Sequence, residues 1–456
     1  MINGSFRKYL EEAIGSDNAL VAFSAFESPA SVSIRCNPFK NGACPQGRAV
    51  VWNAYGRILQ ERPVFTLDPH FHAGAYYVQD SSSMFVGHTF RKLLEDMDKP
   101  SGRPFRVLDL CAAPGGKTTD LAASLRKAFG DDFILVSNEV MKARAGVLAD
   151  NVALWGDPNV VVTSDDPRAF AALPGFFDVV VADVPCSGEG MFRKDEEAQR
   201  QWSEDNVALC EARQRRITAD VWPSLRQGGV FVYSTCTFNK YENDDNVQWI
   251  ASELGAECLL EDDFLRAGNG AIKTICGYSL VPGHVEGEGQ YCSALKKISD
   301  SEFQEIRHKT LRPSRTQTLP EGVMAGLLTM KAVSRLRGDT VIAIPENISA
   351  DVALLEQVLH VIAAGCAVGT LKGKVLVPDA DLALSLMFDR TAFPEAEVDR
   401  DTALAYLHRD AIILPDAPKG YVTIVYEGLP LGFVKNLGNR CNSLHPQGRR
   451  IRMNIK

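Results

Sequence analysis

No apolar run in this 456-residue chain approaches the roughly 20 residues needed to cross a bilayer, so no membrane-spanning helix is expected. The opening residues mix charged and apolar side chains, with Phe6, Leu10 and Ile14 at helical spacing and no secretory h-region, and the reading is of a cytoplasmic protein. The 11 cysteines include no C-x-x-C pair and no zinc-like Cys/His spacing, so most are expected to be reduced core residues. His70 and His72 sit two apart in a Pro/Gly-rich stretch, and no metal is expected there. Positive charge is not in excess either. A net charge of −8 speaks against a surface coated throughout for nucleic acid, although it leaves room for a local basic face. Internal repeats and low-complexity tracts are absent. What is present is an ordinary apolar fraction of 45% over a length that suggests about three domains.

Residues 1–100 combine a helical N-terminus with turn-rich sequence, including a strand-like alternation over 31–35 and a helix from Met84. From Phe105 the pattern becomes regular. Strands are expected over 107–110, 133–136, 160–163, 177–182 and 229–233, with helices from Thr118, over 142–151 and over 205–225. Such alternation predicts an α/β fold, a parallel sheet covered by helices on both faces. Strands over 257–260, 278–280 and 291–295 then close the sheet in antiparallel fashion. The domains are placed at 1–100, 101–298, 326–390 and 391–456, with a polar linker over 299–325. Shorter strands are expected over 340–344, 367–370, 375–377 and 421–426.

In a parallel sheet the strand C-termini line one crevice. Two cysteines sit at such ends: Cys186 in Asp183-Val184-Pro185-Cys186-Ser187-Gly188, and Cys236 in Tyr233-Ser234-Thr235-Cys236-Thr237. The first strand runs into Cys111-Ala112-Ala113-Pro114-Gly115-Gly116-Lys117, a small-residue turn that lets a ligand approach the backbone. Glu139 ends the second strand, 23 residues past Gly116, where it can accept bonds from ribose hydroxyls. Asp166 follows the third strand, where it can meet an adenine amino group, and Asp183 follows the fourth, facing the site of reaction. Any one of these acids could simply cap a helix. In this order they describe an adenosyl-cofactor pocket, and the missing G-x-G-x-x-G counts against NAD.

A cysteine beside a methyl donor has a specific use. Carbon 5 of a pyrimidine is a poor nucleophile until a thiolate adds at carbon 6. Cys236 fits as that nucleophile, Cys186 as the residue that helps release the enzyme, and Asp183 as the partner of the cytosine N3/N4 edge. Lys117 and Lys194 are candidate sources of positive potential. Taken singly, a free cysteine is more often structural.

The motifs spanning 109–119, 183–190 and 233–237 closely resemble, in order and spacing, those of the Sun-type RNA (cytosine-5) methyltransferases. The resemblance extends to Arg35-Cys36-Asn37-Pro38-Phe39-Lys40, Tyr76-Tyr77-Val78-Gln79-Asp80 and Leu429-Pro430-Leu431-Gly432-Phe433-Val434-Lys435. With His445-Pro446-Gln447-Gly448-Arg449 it points to the RsmF-type subgroup, which acts on bacterial small-subunit rRNA. Val184 stands where the family usually has Ala, and Gln290-Tyr291 where it often has paired Phe. The resemblance implies a Rossmann-like class I methyltransferase core with an N-terminal α+β extension and a C-terminal β-rich, PUA-like module. It also implies S-adenosyl-L-methionine held by Cys111 to Lys117, Glu139, Asp166 and Asp183, with Cys236 as nucleophile and Cys186 in product release.

From Leu431 to Lys456 there are six Lys/Arg and no Asp or Glu, which fits phosphate contact or a solvated basic tail. Expected RNA contacts are Arg35, Asn37, Lys194, Lys435, Arg440, Arg449 and Arg450. The target base must be flipped out or unpaired, because carbon 6 is inaccessible within a helix. Tyr77, Phe192 and Trp202 could stack on it, though packing is the commoner role for such residues. The expectation is cytosine-5 methylation of 16S rRNA. The competing readings are the same chemistry on tRNA or 23S rRNA, methylation of an exocyclic amine, and a non-catalytic RNA-binding assembly factor.

Overall fold

The computed structural model describes residues 4–259, 270–299, 319–320 and 322–455. Most of the expected linker over 299–325, together with residue 260 of the strand expected over 257–260, lies outside the described residues. Helix Gly4–Ile14 buries Phe6, Leu10 and Ile14 on one stripe, and helix Ser16–Phe26 follows it. Strands β1 (Val32–Cys36), β2 (Arg48–Val50), β3 (Asn53–Leu59) and β4 (Tyr76–Val78) form a small sheet in the order β2-β3-β1-β4. Cys36 and Cys44 are joined by a disulfide across the Asn37–Gly42 turn region, which corrects the expectation for these two cysteines. An eight-residue separation is not a recognisable pairing motif, so the spacing gave no sign of it.

The core strands are β5 (Phe105–Asp109), β6 (Phe133–Asn138), β7 (Val160–Thr163), β8 (Phe177–Asp183), β9 (Leu225–Thr235), β10 (Ala256–Cys258), β11 (Ile272–Lys273), β12 (Tyr278–Leu280) and β13 (Gln290–Lys297). Strands β5 to β9 are parallel in the order β9-β8-β5-β6-β7, while β13 pairs antiparallel with β9 and β12 with β13. The parallel strands carry apolar stretches such as Ile134 to Val136, Val179 to Val181 and Val230 to Val232 because helices cover both faces. Val107, Val179, Val181 and Val232 pack on one side with Leu121, Leu125 and Leu148. Leu108, Val180, Phe231 and Tyr233 pack on the other with Ile217, Val221 and Ile250. Each such side chain contributes about 1.5–3 kcal/mol by leaving water, so the sheet order is fixed by many independent contacts.

Beyond the core, β14 (Ala332–Arg337), β15 (Thr340–Pro345), β17 (Cys366–Lys372) and β18 (Val375–Pro378) make a second antiparallel sheet. The intervening β16 (Val361–Ala364) leaves that sheet and pairs antiparallel with β7, extending the central sheet. Last come β19 (Glu395–Glu397), β20 (Gly420–Tyr426), β21 (Leu429–Asn436) and β22 (Cys441–Ser443) in a four-stranded sheet. No helix among the described residues is long and apolar enough to cross a membrane.

Candidate active site

Because β5 to β9 run the same way, Asp109, Asn138, Thr163, Asp183 and Thr235 all end on one edge. The chain then leaves each strand as a loop over the crevice. The loops after β8 and β9 carry the two cysteines, and their Sγ atoms lie 3.2 Å apart. Cys186 has its pKa pushed well above the ordinary thiol value, first by its hydrogen bond to Cys236, then by burial, then by the charge of nearby groups. It therefore favours the protonated form beside the other sulfur.

Asp183 is the hub beside them. Its Oδ2 accepts from Lys117 Nζ at 2.8 Å, and its Oδ1 accepts from Ser234 Oγ at 2.8 Å and Gln290 Nε2 at 2.9 Å. Lys117 also donates to Ser83 Oγ at 2.9 Å. Burial disfavours the Lys117 charge, but Asp183 and, more weakly, Cys236 outweigh it, and the pKa ends above the ordinary lysine value. The crevice therefore holds a fixed ammonium near both a carboxylate and a thiol, an electropositive setting of the kind nucleophilic cysteines occupy.

A buried polar network holds the two cysteine loops together. Val184 N donates to Ser234 O at 3.0 Å, Gly190 N to Cys236 O at 2.8 Å, and Ser187 Oγ lies 2.9 Å from Thr237 Oγ1. Glu242 accepts from Ser187 N at 3.0 Å, Gln214 Nε2 at 2.7 Å and Asn239 Nδ2 at 2.8 Å. Glu189 accepts from the backbone N–H groups of Phe238 and Asn239 and from Trp202 Nε1. Burial, then the charge of Glu189, pushes the Glu242 carboxyl up to about 7. Sequence reasoning missed Glu189, Asn239, Glu242 and Gln290. The polar run Asn239 to Asn243 directly after the cysteine strand was the available signal.

The first-strand turn is shaped for a ligand. Gly115 has φ 113° and caps helix Gly116–Phe129, and a Cβ there would lie 3.2 Å from Leu148 Cδ1. Gly115 N donates to Ala112 O and Ala112 N to Asn138 O, so the turn is braced against β6. Asp109 is buried, with Thr118 Oγ1 donating to Oδ2 at 2.6 Å, while Oδ1 has no hydrogen-bond partner. Burial pushes its carboxyl up to about 7. An unsatisfied buried oxygen under a glycine turn fits a ligand donor at this point. Cys111 is half-buried in the turn, with its thiol pushed up by burial first. Glu139 Oε1 accepts from Met141 N at 2.9 Å, and its Oε2 lies 3.3 Å from Arg144. Asp166 accepts from Arg168 N at 3.2 Å, so it does cap the short helix Pro167–Ala172 while staying partly exposed.

Several expected RNA contacts lie elsewhere. Arg35 is 1% exposed, its Nε donating to Gln79 Oε1 at 2.8 Å and a terminal nitrogen to Gly116 O at 3.1 Å. Asn37 is also buried and donates to the carbonyls of Gly74 and Trp155. Both join the N-terminal sheet to the core, and a phosphate cannot reach them. Arg449 is held by Asp150 at 2.9 Å and by Asp381, with its side chain 15% exposed. It is an ion-pair clamp, not a free cation. Lys194 lies 3.7 Å from Asp80. Lys435, Arg440 and Arg450 are exposed. Phe192 and Trp202 pack in the cluster around Phe6, and Tyr77 is half-buried next to Asn151. His70 pairs with Asp68 and Glu427, while His72 meets Thr66 O.

Three family models match this chain. The model described as 16S rRNA methyltransferase RsmB/F matches residues 99–296, the N-terminal domain of 16S rRNA methyltransferase RsmF matches 2–81, and the methyltransferase RsmF PUA domain matches 393–451. The chain is 30% identical over 389 residues to ribosomal RNA small subunit methyltransferase F of Serratia proteamaculans, covering 82% of this chain and 78% of that one. It is 36% identical over 228 residues to the protein of the same name from Pectobacterium atrosepticum, where the match spans 49% of this chain and 45% of the relative. With the Klebsiella pneumoniae protein of that name the identity is 38% over 231 residues, spanning 50% and 46%. The chain thus spans about half the length of these last two relatives. Among solved structures, a methyltransferase homologue from Pyrococcus horikoshii superposes with a TM-score of 0.52 at 24% identity, covering 65% of this chain and 100% of that one. NSun6 from Pyrococcus horikoshii with SFG gives 0.52 at 18% identity, covering 65% and 99%, and both likenesses concern the fold. The chain therefore belongs to the RsmB/F family of S-adenosylmethionine-dependent 16S rRNA methyltransferases.

Proposed function

We propose that this chain methylates carbon 5 of a cytosine in 16S rRNA through a covalent bond from Cys236 to the base. The observation that carries the reading is the pair of thiols 3.2 Å apart at the ends of neighbouring parallel strands, next to Asp183 and Lys117. The turn Cys111 to Lys117, with Glu139, Asp166 and Asp183, would hold the methyl donor. When bound, the donor supplies an electrophilic methyl group to carbon 5.

The chain's own residues do the rest. The Cys236 thiolate adds to carbon 6 and makes carbon 5 electron-rich, turning one hard step into two easier ones. Lys117 stabilises the negative charge on sulfur and donates a hydrogen bond to Asp183. Asp183 accepts a hydrogen bond from the exocyclic amine and favours protonation of N3 as the sulfur adds. Once the methyl group is on carbon 5, N3 returns its proton to solvent and a solvent base takes the carbon-5 proton; that C–H pair re-forms the 5,6 double bond as the carbon–sulfur bond breaks and its electron pair returns to Cys236. Cys186, whose Sγ lies 3.2 Å from that sulfur and whose pKa is raised, can donate to the departing thiolate and stabilise it. Exposed Lys435, Arg440 and Arg450 are proposed to contact phosphates from the C-terminal module. The domain boundaries given above are proposed as the division of labour between recognition and chemistry.

The test is bisulfite sequencing of 16S rRNA from a strain lacking the gene, complemented with wild-type protein or Cys236→Ala. The reading expects a methylated cytosine restored by the wild type and absent with the variant. Restoration by the variant would refute the covalent route.

A further inference from the structure

Gln290 opens β13, where the resemblance leads one to expect an aromatic ring, yet its side chain is 1% exposed and reaches into the crevice. The next residue points the other way, as strand geometry requires, with Tyr291 Oη donating to Asp244 Oδ1 at 2.8 Å. Gln290 Nε2 donates to Asp183 Oδ1 at 2.9 Å, joining Ser234 Oγ on the same oxygen. An ionised carboxylate offers about four acceptor positions, two on each oxygen. Ser234 and Gln290 fill those of Oδ1, and Lys117 fills one on Oδ2. One position remains, on Oδ2. A phenyl ring at 290 could not donate, and Oδ1 would keep a second free position.

We propose that Gln290 is a positioning residue for base selection: with Ser234 it closes Oδ1 and turns Asp183 so that a single acceptor position on Oδ2 meets the pyrimidine. That position accepts a hydrogen bond from an amino group, as on cytosine, and repels a carbonyl oxygen at the same place, as on uracil. The inference rests on the cytosine-5 reading above.

The test uses the purified full chain, labelled S-adenosylmethionine and 16S rRNA extracted from a strain lacking the gene, with products digested to nucleosides. Gln290→Leu is expected to lower kcat about tenfold, because the lost contact orients Asp183 at the reacting base. Gln290→Glu reads the same contact through pH. While protonated, the introduced carboxyl donates to Asp183 as the amide does. Once ionised, it repels Asp183. The ratio of variant to wild-type kcat is therefore expected to fall about tenfold between about pH 6 and about pH 9. If Gln290→Leu does not fold, that ratio decides alone. A flat ratio overturns the inference, as does wild-type kcat in Gln290→Leu. Wild-type protein that transfers methyl groups to a position other than carbon 5 would bring down the underlying reading, and this inference with it.

Discussion

The cations of the strand-end crevice and those of the C-terminal module contrast sharply. In the crevice, Lys117 sits 66 residues before Asp183 in sequence and 2.8 Å from it in space, held there by the strand and helix that carry it. In the C-terminal module, adjacent arginines part company: Arg449 is clamped by Asp150 and Asp381, while Arg450 faces water. A parallel sheet obliges its strand ends to share an edge, so motifs at those ends converge whatever the intervening sequence. A run of basic residues obliges nothing of its members, because each one's partner comes from another part of the chain.

Breaking the crevice should have the larger effects. Cys236→Ala should lower methyl transfer by about 10⁴-fold or more, the scale seen when a covalent nucleophile is removed. Rates measured with saturating donor and RNA would check this. Next comes the arginine pair, which sharpens the contrast directly. Arg449→Ala should cost ~1–2 kcal/mol in stability, read from urea unfolding, since its partners are partly solvated and screening reduces the loss. Arg450→Glu should leave stability within about 0.5 kcal/mol but weaken RNA binding and reduce the salt slope by about one unit. Equal unfolding curves for the two variants would erase the distinction drawn here.

A further expected effect concerns pH. The Glu242 carboxyl is raised from 4.5 to about 7 in the folded protein. Between those values the folded state binds more protons than the unfolded one, so stability falls as pH rises from about 4.5 to about 7 and the cost is complete above that. Glu242→Gln should flatten this fall, and unfolding measured at about pH 5 and about pH 7.5 would show it. A slope unchanged by the substitution would assign the carboxyl no such role.

The core was legible in sequence because burial on both faces writes apolar runs. The strands over 160–163 and 278–280 match the structure at both ends, and the others differ at one or both ends by a few residues. The crevice was legible because its motifs follow those strands. Strand β14, Ala-Val-Ser-Arg-Leu-Arg, was missed because it is a largely half-buried edge strand with weak alternation. β16 was missed because its partner is β7, about 200 residues earlier, and only tertiary packing selects it. Arg35 misled for a related reason. A cation in a motif suggests phosphate, but Gln79, Thr119 and the Gly116 carbonyl, remote in sequence, had already taken its donors.

The most direct test of the account is to incubate Cys186→Ala with 16S rRNA from a strain lacking the gene and S-adenosylmethionine, then resolve the mixture on a denaturing gel and map any crosslink by mass spectrometry. The account predicts a protein–RNA adduct that survives denaturant, with the cytosine bonded to Cys236. Full turnover without an adduct, or an adduct on another residue, would contradict it.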